Sequence, residues 1–298
     1  MSDWLTVAVE VVEAQRLTPH FARIRFRAPA HVGGAGPAYD QRIRVGIPSP
    51  GCDPWVADGD DWYSEWLASP EAERGQLRTY SVRDIDRRDD ETLITVDFVL
   101  HFSPGCPGVA SEWAEAAQPG DRASMILPRR GLAGAGIEFA PGPATVIVLA
   151  GDETAAPAIA RILEDLPRDS QGYALIEIPA AADELPIDAP SGFEVRWLAR
   201  DDREHGDRLV EELLDVVSQG RTHAGVGDLP AYDEGELVWE TPTFSALGED
   251  LDEPREQVGE TFYWVAGECR VVAGLRRRLV REFGVARKQI AFMGYWKR

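Results

Sequence analysis

Arg78, Thr79, Tyr80 and Ser81 lie in Leu77–Arg83 (LRTYSVR), whose β-branched and aromatic residues predict a strand. On a strand, alternate side chains share a face, so Arg78 and Tyr80 point one way. A guanidinium pairs with a phosphate in fork geometry, and a phenol ring can cover a flat conjugated ring such as a flavin's. A small Ser81 lets the backbone approach the edge of that ring. The alternative for these four residues is an ordinary strand with an exposed Arg and a half-buried Tyr.

Two further segments carry phosphate-type chemistry. His101–Ser111 (HFSPGCPGVAS) runs from a strand end towards a helix expected over Glu112–Ala117. Its glycines permit close backbone approach, and the helix N-terminus offers free N–H groups and the positive end of the dipole. Ser111 acting only as an N-cap would look the same in sequence. Gly151–Pro157 (GDETAAP) follows an apolar strand and opens a helix, where the edge of a parallel sheet binds ligand phosphates. Asp152 and Glu153 would repel a phosphate unless their side chains turn away. The alternative is an acidic helix start, favourable against the dipole.

The elements that must position these residues fall into two sets. Thr6–Glu13, Phe21–Ala28, Arg42–Ile47, Leu77–Arg83, Leu93–His101 and Arg122–Leu127 read as about six short strands with turn-rich links, a small antiparallel barrel. Pro48–Gln76 reads as a long irregular stretch. The pattern changes near Gly142. Ala144–Ala150 is a continuous apolar strand, as expected where both faces are covered. Helix Ala156–Leu166, strands Ala174–Ile178 and Glu194–Leu198, and helix Asp207–Ser218 follow. Strand Thr261–Ala266, helix Val271–Phe283 and strand Gln289–Phe292 complete a doubly wound parallel sheet. Between Gln219 and Val258 the chain holds ten acids and two bases, and reads as a mobile acidic insertion with at most short strand pieces. The expected domains are 1–141 and 142–298.

The 298 residues carry a net charge of −20, which argues against nucleic acid or an anionic membrane as partner. Arg270–Arg298 alone holds nine basic residues and one acid, a cationic region suited to a small anionic ligand or, as the alternative, a solvated helix face. No apolar run is long enough to cross a membrane, and no leader is apparent, so a cytoplasmic location is expected. The three cysteines, Cys52, Cys106 and Cys269, form no CxxC and are too few for an iron–sulfur cluster. No metal ligand cluster is expected.

The strings RTYSVR, DFVLH followed by PGVASEWA, LPRRGL, LAGDETAAPAI, YWVAGE and FMGYWKR, in that order, resemble the siderophore-interacting proteins, flavin-dependent ferric-siderophore reductases of the ferredoxin-reductase-like group. The resemblance covers essentially the whole chain. It implies a six-stranded Greek-key barrel that binds FAD, followed by a doubly wound α/β domain that binds NADPH or NADH. It implies that Arg78, Thr79, Tyr80 and Ser81, with His101, Gly108, Val109, Ala110 and Ser111, hold FAD. Asp152, Glu153, Thr154 and Ala155 are implied as the nicotinamide-nucleotide turn. Arg200, at a predicted strand end, either takes a nucleotide 2′-phosphate or pairs with Asp201, Asp202 or Glu204. Arg129, Arg130 and Lys297 match positions implied to hold an anionic ferric siderophore, although one of the two arginines could instead pair with an acid or an FAD phosphate. The implied activity is NAD(P)H-driven reduction of the ferric siderophore. Reduced ferredoxin is an alternative donor, and a general NAD(P)H:flavin reductase or diaphorase is the alternative enzyme.

Overall fold

Alternation is plain in β2 (Phe21–Pro29), where Phe21, Ile24, Phe26 and Ala28 are buried and Arg25 and Arg27 are not. That pattern needs one covered face, and seven strands supply it. The computed structural model describes residues 3–59, 61–101, 108–219, 239–241 and 260–298. They divide into two units, Met1–Ile137 and Glu138–Arg298.

The first unit contains β1 (Trp4–Thr18), β2, β3 (Arg42–Ile47), β4 (Gln76–Ser81), β5 (Asp84–Arg87), β6 (Glu91–Val99) and β7 (Arg122–Pro128). They form one antiparallel sheet in the order β4-β3-β7-β1-β2-β6-β5. The sheet curls strongly: Tyr80 on β4 lies 4.4 Å from Phe98 on β6, although four strands separate β4 from β6 in the sheet. The expected six-stranded barrel is therefore a curled sheet of seven. The added strand is β5, which follows β4 after a break at Val82–Arg83 and pairs with β6. Pro48–Gln76 holds two short helices, α1 (Trp62–Ala68) and α2 (Glu71–Arg74). α1 has its N-cap at Asp61, whose side chain accepts from Ser64 N at 3.2 Å.

The helix expected from Glu112 begins three residues earlier, as α3 (Val109–Ala116). Its helical face explains why. Ala110 and Ala114 are buried, and Trp113 stacks on Phe26 at 6.2 Å and meets Phe98 at 6.0 Å.

The second unit contains β8 (Val146–Gly151), α4 (Ala156–Asp165), β9 (Gln171–Ile178), β10 (Gly192–Ala199), α5 (Asp207–Gln219), β11 (Trp239–Glu240), β12 (Thr261–Glu268), α6 (Cys269–Arg281) and β13 (Ile290–Trp296). Strand order is β10-β9-β8-β12-β13-β11, parallel except for β11. From β8 the chain winds outward to β9 and β10, then returns to β12 on the other side. The crevice beyond the C-terminal ends of β8 and β12 is the switch point at which such sheets bind ligands. Leu209, Leu213, Val272, Leu275 and Leu279 of α5 and α6 pack with Val148, Leu175 and Val265 of the sheet, while α4 buries Ile159, Ile162 and Leu163.

Most of the acidic insertion lies outside the described residues. Its described piece, Trp239–Thr241, adds β11 to the edge of β13. Glu240, 1% exposed, accepts from Arg276 Nε at 2.8 Å and Arg287 Nε at 2.5 Å. Thr241 Oγ1 donates to Glu138 at 2.9 Å, and Trp239 stacks on Tyr295 at 6.2 Å. Arg276, expected on a cationic patch, is thus a buried ion-pair partner, whereas Arg270, Arg277, Arg281 and Lys288 are exposed.

Candidate functional site

In the first unit, pairing of β3 with β4 sets Ile43 opposite Tyr80 and Val45 opposite Arg78. Both β3 residues are core residues, so Tyr80 and Arg78 share the face that looks into the curl. Tyr80 is half-buried against Phe98, and burial pushes its phenol well above the usual range, Arg78's charge opposing. Arg78 is exposed, its guanidinium on Leu77 O at 2.9 Å and Gln76 Oε1 at 2.6 Å. Thr79 faces the other way. It lines a half-open cleft of about 210 Å³ with Trp4, Arg42, Ile43, Arg44, Trp62 and Ile126. Ser81 is buried at the strand end.

α3 begins at the end of β6. Its N-cap is Gly108, with no side-chain cap, so the cap interpretation of Ser111 does not hold. Ser111 sits in the third helical position, buried. Its hydroxyl accepts from His101 N at 3.1 Å and donates to Val99 O at 3.3 Å, tying the helix start to the strand end. The His101 ring is exposed. Phe102–Pro107 lie outside the described residues. A Cβ on Gly108 would meet no described atom nearer than 3.9 Å. A helix start without a side-chain cap, beside an aromatic-lined strand, fits a pyrophosphate carrying a flat ring system. The residue that sequence reasoning missed is Trp113, which anchors α3; its place one turn after Val109 on an alanine-rich face was the available signal.

At the switch point of the second unit, Asp152 and Glu153 turn inward and are each 1% exposed. Asp152 Oδ1 accepts from Thr154 N at 2.9 Å and Thr154 Oγ1 at 2.5 Å. Its Oδ2 accepts from Glu268 N and from Trp296 Nε1, both at 2.8 Å. Ala155 is the uncapped N-cap of α4, with Pro157 in the first turn. Glu153 holds both terminal nitrogens of Arg200 at 2.8 Å. Arg200 also reaches Glu177, which is fully buried and accepts from Gly206 N and Leu209 N at the start of α5. Arg200 therefore serves neither Asp201, Asp202 nor Glu204, and its guanidinium is engaged by two buried carboxylates rather than offered to a 2′-phosphate. Glu177, an acid inside an apolar strand (ALIEI), was missed, as was His205.

The carboxylates respond to this packing. Burial opposes ionisation of Glu153, but His205 and Arg200 outweigh it and bring its pKa down to about 2. Asp152 is raised, by burial first and then by Glu153's charge, against its bonds to Thr154 and Trp296 and the charge of His205.

Arg129 and Arg130 follow β7. Arg130 Nη1 donates to Ala30 O at 2.9 Å and Arg88 O at 2.5 Å. Carbonyls satisfy its N–H groups without neutralising its charge. Lys297 is exposed at the end of β13, in the second unit.

Comparison with known proteins agrees with these two units. The profile described as "Siderophore-interacting FAD-binding domain" matches residues 10–132, and "Siderophore-interacting protein" matches 144–298. A Mycobacterium tuberculosis protein is 32% identical over 307 residues, covering 98% of this chain and 90% of its own length. The ferric vibriobactin reductase ViuB of Vibrio cholerae is 28% identical over 221 residues, covering 74% and 64%. The crystal structure of a siderophore utilization protein from T. fusca superposes with a TM-score of 0.70 at 29% identity, covering 100% of this chain and 95% of that one. The fold is that of the ferredoxin reductases. Among the described residues no helix is long and apolar enough to cross a membrane. With both of its units matched in order, the chain belongs to the siderophore-interacting protein family, and its first unit is an FAD-binding domain.

Proposed function

We propose that the protein reduces ferric siderophores with electrons from NADPH or NADH by way of FAD, releasing Fe(II) in the cytosol. The observation that carries this is the start of α3, without a side-chain cap, beside the Tyr80–Phe98–Trp113 aromatic wall in a siderophore-interacting FAD-binding domain. FAD, when bound, takes two electrons as a hydride and passes them on singly, which matches a two-electron donor to one-electron iron(III). The protein's own residues hold and orient. The N–H groups of Val109 and Ala110 and the Arg78 guanidinium take the pyrophosphate, and Tyr80, neutral at any working pH, covers the ring. In the second unit, inward-turned Asp152 and Glu153 remove their charge from the mouth of the turn. The turn Asp152–Ala155 is then the place for the nucleotide; its Thr154 and Ala155 N–H groups are held by Asp152, so the phosphates meet the positive end of the α4 dipole rather than those two donors. Arg129, Arg130 and Lys297 supply positive charge for an anionic ferric siderophore against a chain of net charge −20.

The test is anaerobic. NADPH or NADH should bleach the yellow protein, and a ferric siderophore should restore the colour while a ferrous chelator traps Fe(II). Bleaching by reduced ferredoxin alone would replace the nucleotide as donor. Reoxidation by free flavin or quinone but by no ferric siderophore would reject the substrate.

Two substitutions refine the assignment. Ser111→Ala removes the hydroxyl that joins His101 N to Val99 O, so the start of α3 should loosen and FAD affinity fall about tenfold, one hydrogen bond's worth. Dialysis followed by flavin absorbance measures it, and unchanged retention would show that the helix start is set by Trp113 alone. Lys297→Ala should raise KM for an anionic ferric siderophore severalfold and leave a neutral ferric chelate nearly unaffected, the difference fading with salt. Equal losses for both acceptors would remove Lys297 from substrate capture.

A further inference from the structure

His205 precedes α5 and lies at the C-terminal edge of the parallel sheet, its side chain 2% exposed. Its Nε2 is 3.5 Å from Asp152 Oδ2 and 3.6 Å from Glu153 Oε2, and neither ring nitrogen has a hydrogen-bond partner among the described residues. The Trp296 ring meets it edge-to-face at 5.2 Å and 89°. Oδ2 of Asp152, the oxygen nearest the imidazole, is also the oxygen that holds the Trp296 indole and the Glu268 amide.

We propose that His205 is a positioning residue whose positive charge fixes the Asp152 carboxylate, and through it locks the C-terminal Trp296–Lys297 arm to the turn at the end of β8. The inference rests on the proposed function for its consequence, because that turn is the proposed nucleotide site and Lys297 the proposed substrate contact.

The charges around the ring decide its state. From the β8–α4 turn, Asp152 and Glu153 face it. Arg200 comes from the end of β10, and Glu177 lies behind Arg200 on β9. Trp296 closes the side towards β13. Glu204 and Asp207 are exposed neighbours in its own segment, Glu204 lying 3.9 Å from Arg298. Arg200 is taken up by Glu153 and Glu177, so among the described residues His205 is the cation nearest Asp152. A divalent metal on Asp152, Glu153 and His205, whose donor atoms lie within 4.8 Å of one another, competes poorly. Both Glu153 oxygens already hold Arg200, and both Asp152 oxygens already accept two hydrogen bonds each.

Burial alone would push the imidazole down, but the Glu153 and Asp152 carboxylates outweigh it, with Arg200 opposing, and the net shift is upward. The sign follows. A group raised above its unfolded value of about 6.5 holds its contacts fully below that pH and loses them as pH rises through the folded value. The arm is therefore fully locked below about pH 6.5 and released as pH rises through the higher folded value.

The experiment uses the full-length oxidised holoprotein. The emission difference between wild type and Trp296→Phe is followed from pH 6 to 9.5, together with equilibrium dialysis of NADP+ and NAD+. Wild type should show a one-proton emission change above about pH 6.5, and nucleotide affinity should fall at least about fivefold across it. His205→Gln should show alkaline behaviour at every pH. His205→Lys, which keeps the charge, should stay locked throughout the range. A transition persisting in His205→Gln or His205→Lys would overturn the proposal. Should His205→Gln fail to fold, the wild-type transition still decides: its absence overturns the proposal. Failure of both nucleotides to bind at any pH would reject the nucleotide site, while the emission change would still test the lock.

Discussion

Glu240→Ala should destabilise the second unit by about 3–5 kcal/mol, the usual consequence of breaking a buried ion pair from one side. Arg276, 4% exposed, and Arg287 would both lose this carboxylate. Urea unfolding of the full chain measures the loss as a lowered midpoint. The double variant Glu240→Ala, Arg276→Met should recover part of it, because it also removes a buried charge that Glu240 no longer offsets. A midpoint within about 0.5 kcal/mol of wild type would mean that these pairs contribute nothing.

Gly267→Ala is expected to be comparably severe, for a steric reason. Gly267 has φ +148°, and a Cβ there would lie 2.6 Å from Asp152 Oδ2. The carboxylate cannot step aside, since Thr154, Glu268 and Trp296 pin both of its oxygens. Backbone strain of about 1–3 kcal/mol adds to the displaced hydrogen bonds. The expected result is a loss of about 3–4 kcal/mol in the second unit, with NADP+ binding abolished and FAD content retained. Gly120→Ala is the contrasting case. Its φ is +96° but no described atom lies within 4 Å, so conformational strain of about 1 kcal/mol is the expected cost. Similar losses at the two glycines would show that room for Asp152 is not what Gly267 provides.

The two-part architecture was legible because its signals are local. Alternation in FARIRFRA and the unbroken apolar run ATVIVLA each have one structural meaning. β5 was not legible: Asp84–Arg87 (DIDR) is polar and short, and it is a strand only because β6 offers a free edge. The start of α3 was placed late because Gly108 caps the helix without a side chain, leaving no cap residue to mark it. Tyr80 and Arg78 share a face as period-two geometry requires, and the same geometry sends Thr79 to the opposite cleft. The network around Asp152 could not be read forward. Its members, at positions 152, 153, 177, 200, 205, 268 and 296, are brought together by strand order, and no spacing in the chain encodes a strand order. The inward turn of Asp152 and Glu153 was stated as a condition for phosphate binding, but the partners that satisfy it were invisible.

The two residues of β11 also bear on how the chain keeps apart from its own copies. β13 (IAFMGYW) is an almost wholly apolar strand at the margin of a parallel sheet, the sort of edge to which a strand of another molecule can add. Trp239 and Glu240 occupy that edge opposite Met293 and Phe292. They pair with the middle of that edge and place a two-residue strand, fastened through Glu240 to two arginines, where an incoming strand would have to lie. At high cellular concentration, self-association through β13 is thus opposed by an acidic segment that lends the sheet a single short antiparallel rung.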